Sequence, residues 1–271
     1  MANTINGTPG NDLIEGTPCD DQINGNGGND TLLGGAGNDQ INGGSDTDTI
    51  LGEDGDDQLN GNGGDDTLLG GAGNNQINGG SGNEVLAVTA ESLGNNQLNG
   101  NGGNDIINGG NGDDQLNGGS QADRIDGNDG DDQLNGNGGN DTLASLGGND
   151  TLTGSSDGEI FNAGDGDDII FANGGDDIVF SGEGNDQVFL GTGAAKVLLS
   201  TGEGFDTIFN FDLSQAKFGL GSGLDFQDLD FSDTSQGTEI VSDGDLLAVV
   251  VGVQASQIDN PDLFINPDLF F

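Results

Sequence analysis

The chain is 271 residues long, with 56 Gly, 48 Asp or Glu against 3 Lys or Arg, and a net charge of −45. Composition alone describes an expanded acidic polymer, because so little apolar surface cannot offset chain entropy while like charges repel. The charge excludes nucleic acid and anionic membranes as partners, since both need Lys or Arg to displace their counterions, and leaves basic partners or metal ions.

The pattern of the residues points elsewhere. Counting from Asp12, an acidic slot falls every nine residues as far as Glu84 and, after a three-residue insertion, from Asn96 to Ala195. Of these 21 slots 16 hold Asp, and the residue two places further on is Ile, Leu, Val or Phe in all 21. A fixed short period marks a solenoid whose coils each repeat the same side-chain jobs, here a core residue and a carboxylate. A low-complexity spacer has no reason to keep the apolar position. The many Asn-Gly pairs would also suit antiparallel hairpins. Hairpin strands with one core residue each, however, would scatter the acids over two ends with no counter-charge.

In chain order, Met1 to Thr4 open with neither a basic leader nor an apolar stretch, so no cleavable signal peptide is expected. Cys19 is the only cysteine, which excludes an intramolecular disulfide and leaves metal to stiffen the chain. Residues 3–83 form a first block of repeats. One unit runs Gly34, Gly35, Ala36, Gly37, Asn38, Asp39, Gln40, Ile41, Asn42. Its glycines suit a tight bend with inward carbonyls, and the residues around Ile41 suit a strand of three or four residues. Calcium takes six to eight oxygens from carboxylates and carbonyls together, which such a bend supplies. Units alternate between Gln-Ile-Asn (22–24, 40–42, 76–78; Gln-Leu-Asn at 58–60) and Thr-Leu-Leu (31–33, 67–69; Thr-Ile-Leu at 49–51). That alternation predicts two strands per turn on separate sheets, one outer face carrying Gln and Asn, the other Thr and Leu. Leu33, Leu51 and Leu69 then serve β propensity or form a surface for a partner or for self-association.

Residues 84–95 lack glycine from Glu84 to Leu93 and carry the insertion, which predicts an irregular turn or bulged loop. Residues 96–200 form a second block. All 13 Phe lie at or after Phe161, and the outward positions Ile169, Phe171, Ile178, Phe180 and Phe189 become apolar there. Residues 201–271 are expected to cover them as a capping region of aromatic-rich strands, with a hairpin of Thr238 to Ser242, an Asp243-Gly244 turn, and Leu246 to Val253. The longest apolar run, Leu246 to Val251, is six residues, too short to span a bilayer, so no membrane insertion is expected.

The nonapeptide Gly-Gly-x-Gly-x-Asp-x-U-x, with U apolar, resembles the repeat of the RTX, or hemolysin-type, family of calcium-binding proteins over roughly residues 3–200. The resemblance implies an all-β fold: a right-handed parallel β-roll with two nonapeptides per turn and a C-terminal β cap. It implies calcium ions, several per chain, lodged between bends of successive turns and held by carboxylates and glycine carbonyls. Carried over onto this chain, the metal ligands are Asp12, Asp21, Asp30, Asp39, Asp48, Asp57, Asp66, Asp105, Asp114, Asp123, Asp132, Asp141, Asp150, Asp168, Asp177 and Asp186. Asn75, Asn96 and Ala195 depart from the pattern by lacking the carboxylate, and Glu84 and Glu159 carry it on a longer stem. The endings Asp262-Leu-Phe-Ile and Asp268-Leu-Phe-Phe are similar to an uncleaved type I secretion signal, though a strand of the cap explains them equally well.

The expected function is a secreted or cell-surface structural or adhesive module, unfolded at low calcium and folding when extracellular calcium fills the bends. A glycan- or ice-binding solenoid is the alternative, given flat faces with Thr and Asn ladders. With no His, Trp or Tyr, the usual triads and metal-hydrolase ligand sets cannot be assembled, so no catalytic residues are expected. The repeats begin at the first residues, so no enzymatic domain of the kind many RTX proteins carry is expected ahead of them; the C-terminal part of an exported enzyme or toxin is the further alternative.

Overall fold

The computed structural model describes residues 3–89 and 92–265 and divides into two compact units, Met1–Thr142 and Leu143–Phe271. In the first unit alternate nonapeptides enter alternate parallel sheets. Thr4–Asn6, Gln22–Gly27, Gln40–Ser45, Gln58–Gly63, Gln76–Ser81, Gln97–Gly102, Gln115–Ser120 and Gln133–Gly138 follow one another in one sheet. Leu13–Glu15, Thr31–Ala36, Thr49–Asp54, Thr67–Ala72, Val85–Ala87, Ile106–Asn108 and Arg124–Asp126 follow one another in the other. This is a parallel β-roll with two nonapeptides per turn.

The register follows from the repeat. Ile23 pairs with Ile41, Ile41 with Leu59 and Leu59 with Ile77, each eighteen residues on. Side chains alternate along a strand, so each apolar residue points inward while its neighbours point out. Ile23, Leu32, Ile41, Ile50, Leu59, Leu68, Ile77 and Leu86 are all fully buried. Burial of each such side chain contributes about 1.5–3 kcal/mol.

Many strands are longer than the three or four residues expected. Gln22–Gly27 and its relatives run six residues, through the first three positions of the next repeat. The backbone pairs on past the core residue, Asn26 with Gly44 and Gly27 with Ser45, so the bend proper is shorter than the glycine count suggests.

In the segment 84–95, Val85–Ala87 is a strand, paired with Thr67–Leu69 on one side and Ile106–Asn108 on the other. Leu86 faces Ile107 and Ile77 faces Leu98, both twenty-one residues apart. The three extra residues are therefore absorbed after Ala87 without loss of register.

The second unit follows the same plan with shorter strands of two to four residues. Thr151–Thr153, Ile169–Phe171, Gln187–Phe189 and Asp206–Phe209 follow in one sheet, and Ile160–Asn162, Ile178–Phe180, Lys196–Leu199, Lys217–Leu220 and Phe264–Ile265 in the other. The cap hairpin is Gly237–Ser242 and Asp245–Val251, joined by Asp243 at φ 52° and Gly244 at φ 89°, the pair of positive φ values a type I′ turn requires. Leu229–Asp233 adds a further antiparallel strand, and the only α-helix among the described residues is the four-residue Ala255–Ile258.

The expectation that residues 201–271 lie over the apolar outward positions is corrected. The cap extends the sheets at their end, Asp206–Phe209 pairing with Gln187–Phe189 and Lys217–Leu220 with Lys196–Leu199. Ile169, Phe171, Ile178, Phe180 and Phe189 stay half-exposed. In one column the rings stack instead, Phe171 on Phe189 at 4.9 Å and Phe189 on Phe209 at 4.4 Å between centroids. Residues 268–271 of the secretion-signal motif lie outside the described residues.

Candidate metal centres in the bends

The acid slot sits at the end of each bend, directly before a strand, and parallel pairing stacks equivalent acids in columns. Within the first unit one column is Asp12, Asp30, Asp48, Asp66, Glu84, Asp105, Asp123 and Asp141. The other is Asp21, Asp39, Asp57, Asn75, Asn96, Asp114 and Asp132. In the second unit Asp150, Asp168 and Asp186 stack in one column, and Glu159 and Asp177 in the other. Fifteen of the sixteen expected ligands are buried, and Asp12 is half-buried.

Asp12 and Asp21 accept the N–H and hydroxyl of Thr8 and Thr17 on Oδ2; each later aspartate does two things. Its Oδ1 accepts the backbone N–H of the acid one turn earlier: Asp12 N–H to Asp30 at 2.8 Å, Asp30 N–H to Asp48 at 2.8 Å, Asp21 N–H to Asp39 at 2.7 Å, Asp39 N–H to Asp57 at 2.8 Å. Its Oδ2 turns into the bend, where in Asp30, Asp39, Asp48, Asp57, Asp66, Asp105, Asp114, Asp123, Asp168 and Asp186 it is buried with no donor. A buried, unsatisfied charged oxygen is costly.

The first glycine of the repeat is what makes this space. A Cβ on Gly25 would collide with Asp30 Oδ2 and the Gly43 carbonyl oxygen. The same two neighbours recur at Gly34 (Asp39 and Gly52), Gly52 (Asp57 and Gly70), Gly61 (Asp66 and Gly79) and Gly100 (Asp105 and Gly118). Carboxylate and carbonyl oxygen thus converge on the volume a side chain would fill. Among the described residues no three or more His, Cys, Asp or Glu side chains converge as a metal-binding group. Any ion in a bend therefore draws most of its oxygens from backbone carbonyls, and such an all-oxygen set suits calcium.

The two asparagine slots show what those oxygens want. Asn75 and Asn96 keep the ladder bond, accepting from Asp57 N–H at 3.0 Å and from Asn75 N–H at 2.9 Å. The Asn96 Nδ2 then donates to the carbonyls of Gly94 at 2.8 Å and Gly109 at 3.1 Å, and the Asn75 Nδ2 to Gly73 at 3.3 Å. Where the slot holds an amide its protons serve the bend's carbonyls. Where it holds a carboxylate, Oδ2 and the bend's carbonyls together suit a cation.

The electrostatics agree. Burial, then the charges of stacked neighbours, pushes Asp48 and Asp57 up to about 6 and Asp123, Asp168 and Asp177 up to about 7. Burial, ahead of the charge of neighbouring Asp113, raises Asp114 to about 6. Glu84, buried and then facing the Asp105 charge, rises to about 8. Both of its oxygens lack donors. Glu159 differs, since Ser155 N–H and the Ser155 hydroxyl donate to its two oxygens at 2.9 and 3.0 Å. In the second unit the first-glycine position becomes Ser145, Ala163, Ala172, Ser181 and Leu190, all buried, so the bends of Asp150, Asp168, Asp177 and Asp186 share their space with a side chain.

Two features escaped the nine-residue count. The residue before the acid slot is Asn or Asp in 17 of the 21 units. Its side-chain oxygen accepts the N–H of the equivalent residue one turn later: Asn29 N–H to Asn11 at 2.9 Å, Asn38 N–H to Asp20 at 3.0 Å, Asn83 N–H to Asp65 at 2.8 Å. The acid ladder reaches back a turn and this one reaches forward, so adjacent turns are stapled twice. The second is Asp206, whose bend Gly202-Glu-Gly-Phe-Asp-Thr-Ile208 repeats the motif two residues out of phase. Burial, then the Asp186 charge, raises Asp206 well above the usual carboxylate range.

The family model for the RTX calcium-binding nonapeptide repeat, four copies to a model, matches residues 1–32, 24–59, 51–86, 92–125, 117–152 and 153–188. The chain belongs to the RTX calcium-binding repeat family. Calcium is the ion of that family, and the donor set in the bends fits it. No curated protein matches the chain. Among solved structures, the extracellular lipase LipA of Serratia marcescens aligns at 17% identity over 88% of this chain with a TM-score of 0.28. This RTX chain spans 40% of that lipase structure's length.

Proposed function

We propose that this RTX chain is a calcium-loaded structural and adhesive module, without catalytic activity, that is exported and folds when it meets extracellular calcium. Support comes first from the columns of buried carboxylate oxygens without donors, in a chain of net charge −45. The ligands proposed are the sixteen slot aspartates named above, with bend carbonyls completing each shell. Filling a bend with a divalent cation removes both the unsatisfied oxygen and the repulsion along the column, so folding and binding become one equilibrium. Export through a type I route fits an unfolded, calcium-poor cytosolic state. Circular dichroism at mildly alkaline pH with millimolar calcium and with excess chelator tests the reading: there strand signal is expected only with calcium, and a strand spectrum that persists in chelator rejects it.

One observation favours a glycan as the adhesive target. The outer face of the Gln/Asn sheet bears no charge, and its asparagines form a ladder, Asn24 Nδ2 to Asn6 Oδ1 at 3.0 Å, Asn42 to Asn24 at 3.2 Å, Asn78 to Asn60 at 3.2 Å, Asn117 to Asn99 at 3.0 Å. A flat row of amides at regular spacing offers donors and acceptors to sugar hydroxyls. Binding on a glycan array that is lost when Asn42 and Asn60 are replaced by Val would support it, and no binding to any glycan would remove it.

A further inference from the structure

In the first unit the outward residues of the Thr/Leu sheet stack in register into two columns, one running from Leu13 to Arg124 and the other from Glu15 to Asp126. Among the described residues six large apolar side chains are exposed, and four of them stand on this face: Leu13 at 69%, Ile106 at 51%, and Leu69 and Val85 at 37% each. The Gln/Asn face has none of the six. Strands in a sheet lie about 4.8 Å apart, so the seven from Leu13–Glu15 to Arg124–Asp126 make a strip about 30 Å long. A contiguous apolar strip rimmed by charge marks a contact surface. The charges at its far end say what the contact is. Arg124 is the only basic residue of the first unit. It stands at the same level of the roll as Asp126, 3.9 Å away, with 60% of its side chain exposed.

We propose that a second copy of this chain covers the strip, the two rolls lying face to face about a two-fold axis parallel to the roll axis. Such an axis keeps each level opposite the same level and sets each column against the other column of its partner. Arg124 then meets the partner's Asp126, and Asp126 meets the partner's Arg124, so one patch supplies two matched ion pairs, as an isologous contact requires. Leu33, Leu51 and Leu69 meet the Thr column at the same levels. Antiparallel rolls would set each column on itself. With the strips fully overlapped, Asp126 would then lie on the partner's Glu15 and Arg124 on the partner's Leu13, like charge against like and the cation without a counterpart. An anionic surface is repelled by a net charge of −45, and a basic protein is drawn to the acidic bends before a strip of Thr and Leu. The pairing rests on the calcium-loading reading, because ion-filled bends let two such acidic rolls lie side by side. A strip this narrow falls at the small end of specific interfaces, so the dimer forms reversibly.

Sedimentation velocity of the full chain in millimolar calcium, over a range of protein concentration, tests the pairing, with circular dichroism on the same samples. Wild type is expected to pass from monomer to dimer as its concentration rises. Arg124→Asp sets an acid opposite the partner's Asp126, and Asp126→Arg sets a base opposite the partner's Arg124. Each variant is expected to dimerise about ten-fold more weakly, since two surface pairs turn from attraction to repulsion. An equimolar mixture of the two variants restores both pairs, and dimer at wild-type strength is expected there and in neither variant alone. A mixture no stronger than its components overturns the two-fold along the roll axis. A wild-type chain that gains strand signal with calcium yet stays monomeric at every concentration overturns the pairing and leaves calcium loading standing, whereas one that gains no strand signal overturns the calcium-loading reading and the pairing with it. Should either charge variant lose its strand spectrum in calcium, Leu69→Lys carries the test: loss of the dimer supports the face, and an unchanged dimer rejects it.

Discussion

At the scale of the residue, the bend is a division of labour between one carboxylate and one glycine. Asp66 shows the first. Replacing it by Asn should preserve the N–H ladder, as Asn75 does, and supply amide protons to the carbonyls. Asp66→Asn should therefore bind one calcium fewer than wild type yet keep its strand spectrum with calcium, measured by titration and circular dichroism. Gly61 shows the second, since its Cβ would meet Asp66 Oδ2 and the Gly79 carbonyl. Gly61→Ala should cost about 1–3 kcal/mol by overpacking in the calcium-loaded state, read from the shift of its denaturation midpoint. Acidity should act on the metal-free roll in a defined direction. Folding raises Asp48 and Asp57 to about 6 and Asp123 and Asp168 to about 7, so the folded chain holds protons more tightly than the unfolded one. Stability from these groups is present in full below the unfolded carboxylate value of about 4 and is lost as pH rises through about 6 to 7. In chelator, strand signal should grow as pH falls from about 8 to about 5, and an unchanged spectrum across that window would contradict the burial of these groups. The acid and core slots were legible because each recurs at a fixed offset. The forward-reaching Asn/Asp ladder was not, because its side chains look like ordinary turn residues until the turns are stacked, and Asp206 was not, because two inserted residues put it out of phase.

At the scale of the element, strand identity is set by the residues flanking the core position. Gln-U-Asn units fall in one sheet and Thr-U-Leu units in the other, as their alternation implied. The Asp243-Gly244 hairpin was equally legible, because only a short list of residues tolerates two positive φ values in succession. What the sequence did not reveal was the route of the cap. Apolar residues on an outward face imply a cover, but here Phe171, Phe189 and Phe209 cover one another by stacking along the column. Phe189 is the middle ring and has two partners. Phe189→Leu should remove two contacts of about 0.5–1.5 kcal/mol each and lower the melting temperature of the calcium-loaded protein, while Leu51→Thr, on a half-exposed outer column of the first unit, should leave it nearly unchanged.

At the scale of the whole molecule, the fold has two separate electrostatic problems, long-range repulsion and buried oxygens without donors. Salt addresses only the first. Raising ionic strength to about 1 M shortens the screening length from about 10 Å to about 3 Å, so in chelator the chain should contract hydrodynamically yet show no strand signal. Calcium addresses both and should restore the strands at modest ionic strength. Light scattering and circular dichroism on the same samples separate the two effects, and strand signal regained with sodium alone would mean that repulsion was the whole obstacle.

Because successive nonapeptides of the first unit enter opposite sheets, the array has a parity. Losing one copy would send every later Gln-type strand into the Thr-type sheet and break the side-chain amide columns at the join, whereas losing two in succession returns each strand to its own kind. A change in length within this unit should therefore be tolerated in steps of eighteen residues, the full coil, and not of nine.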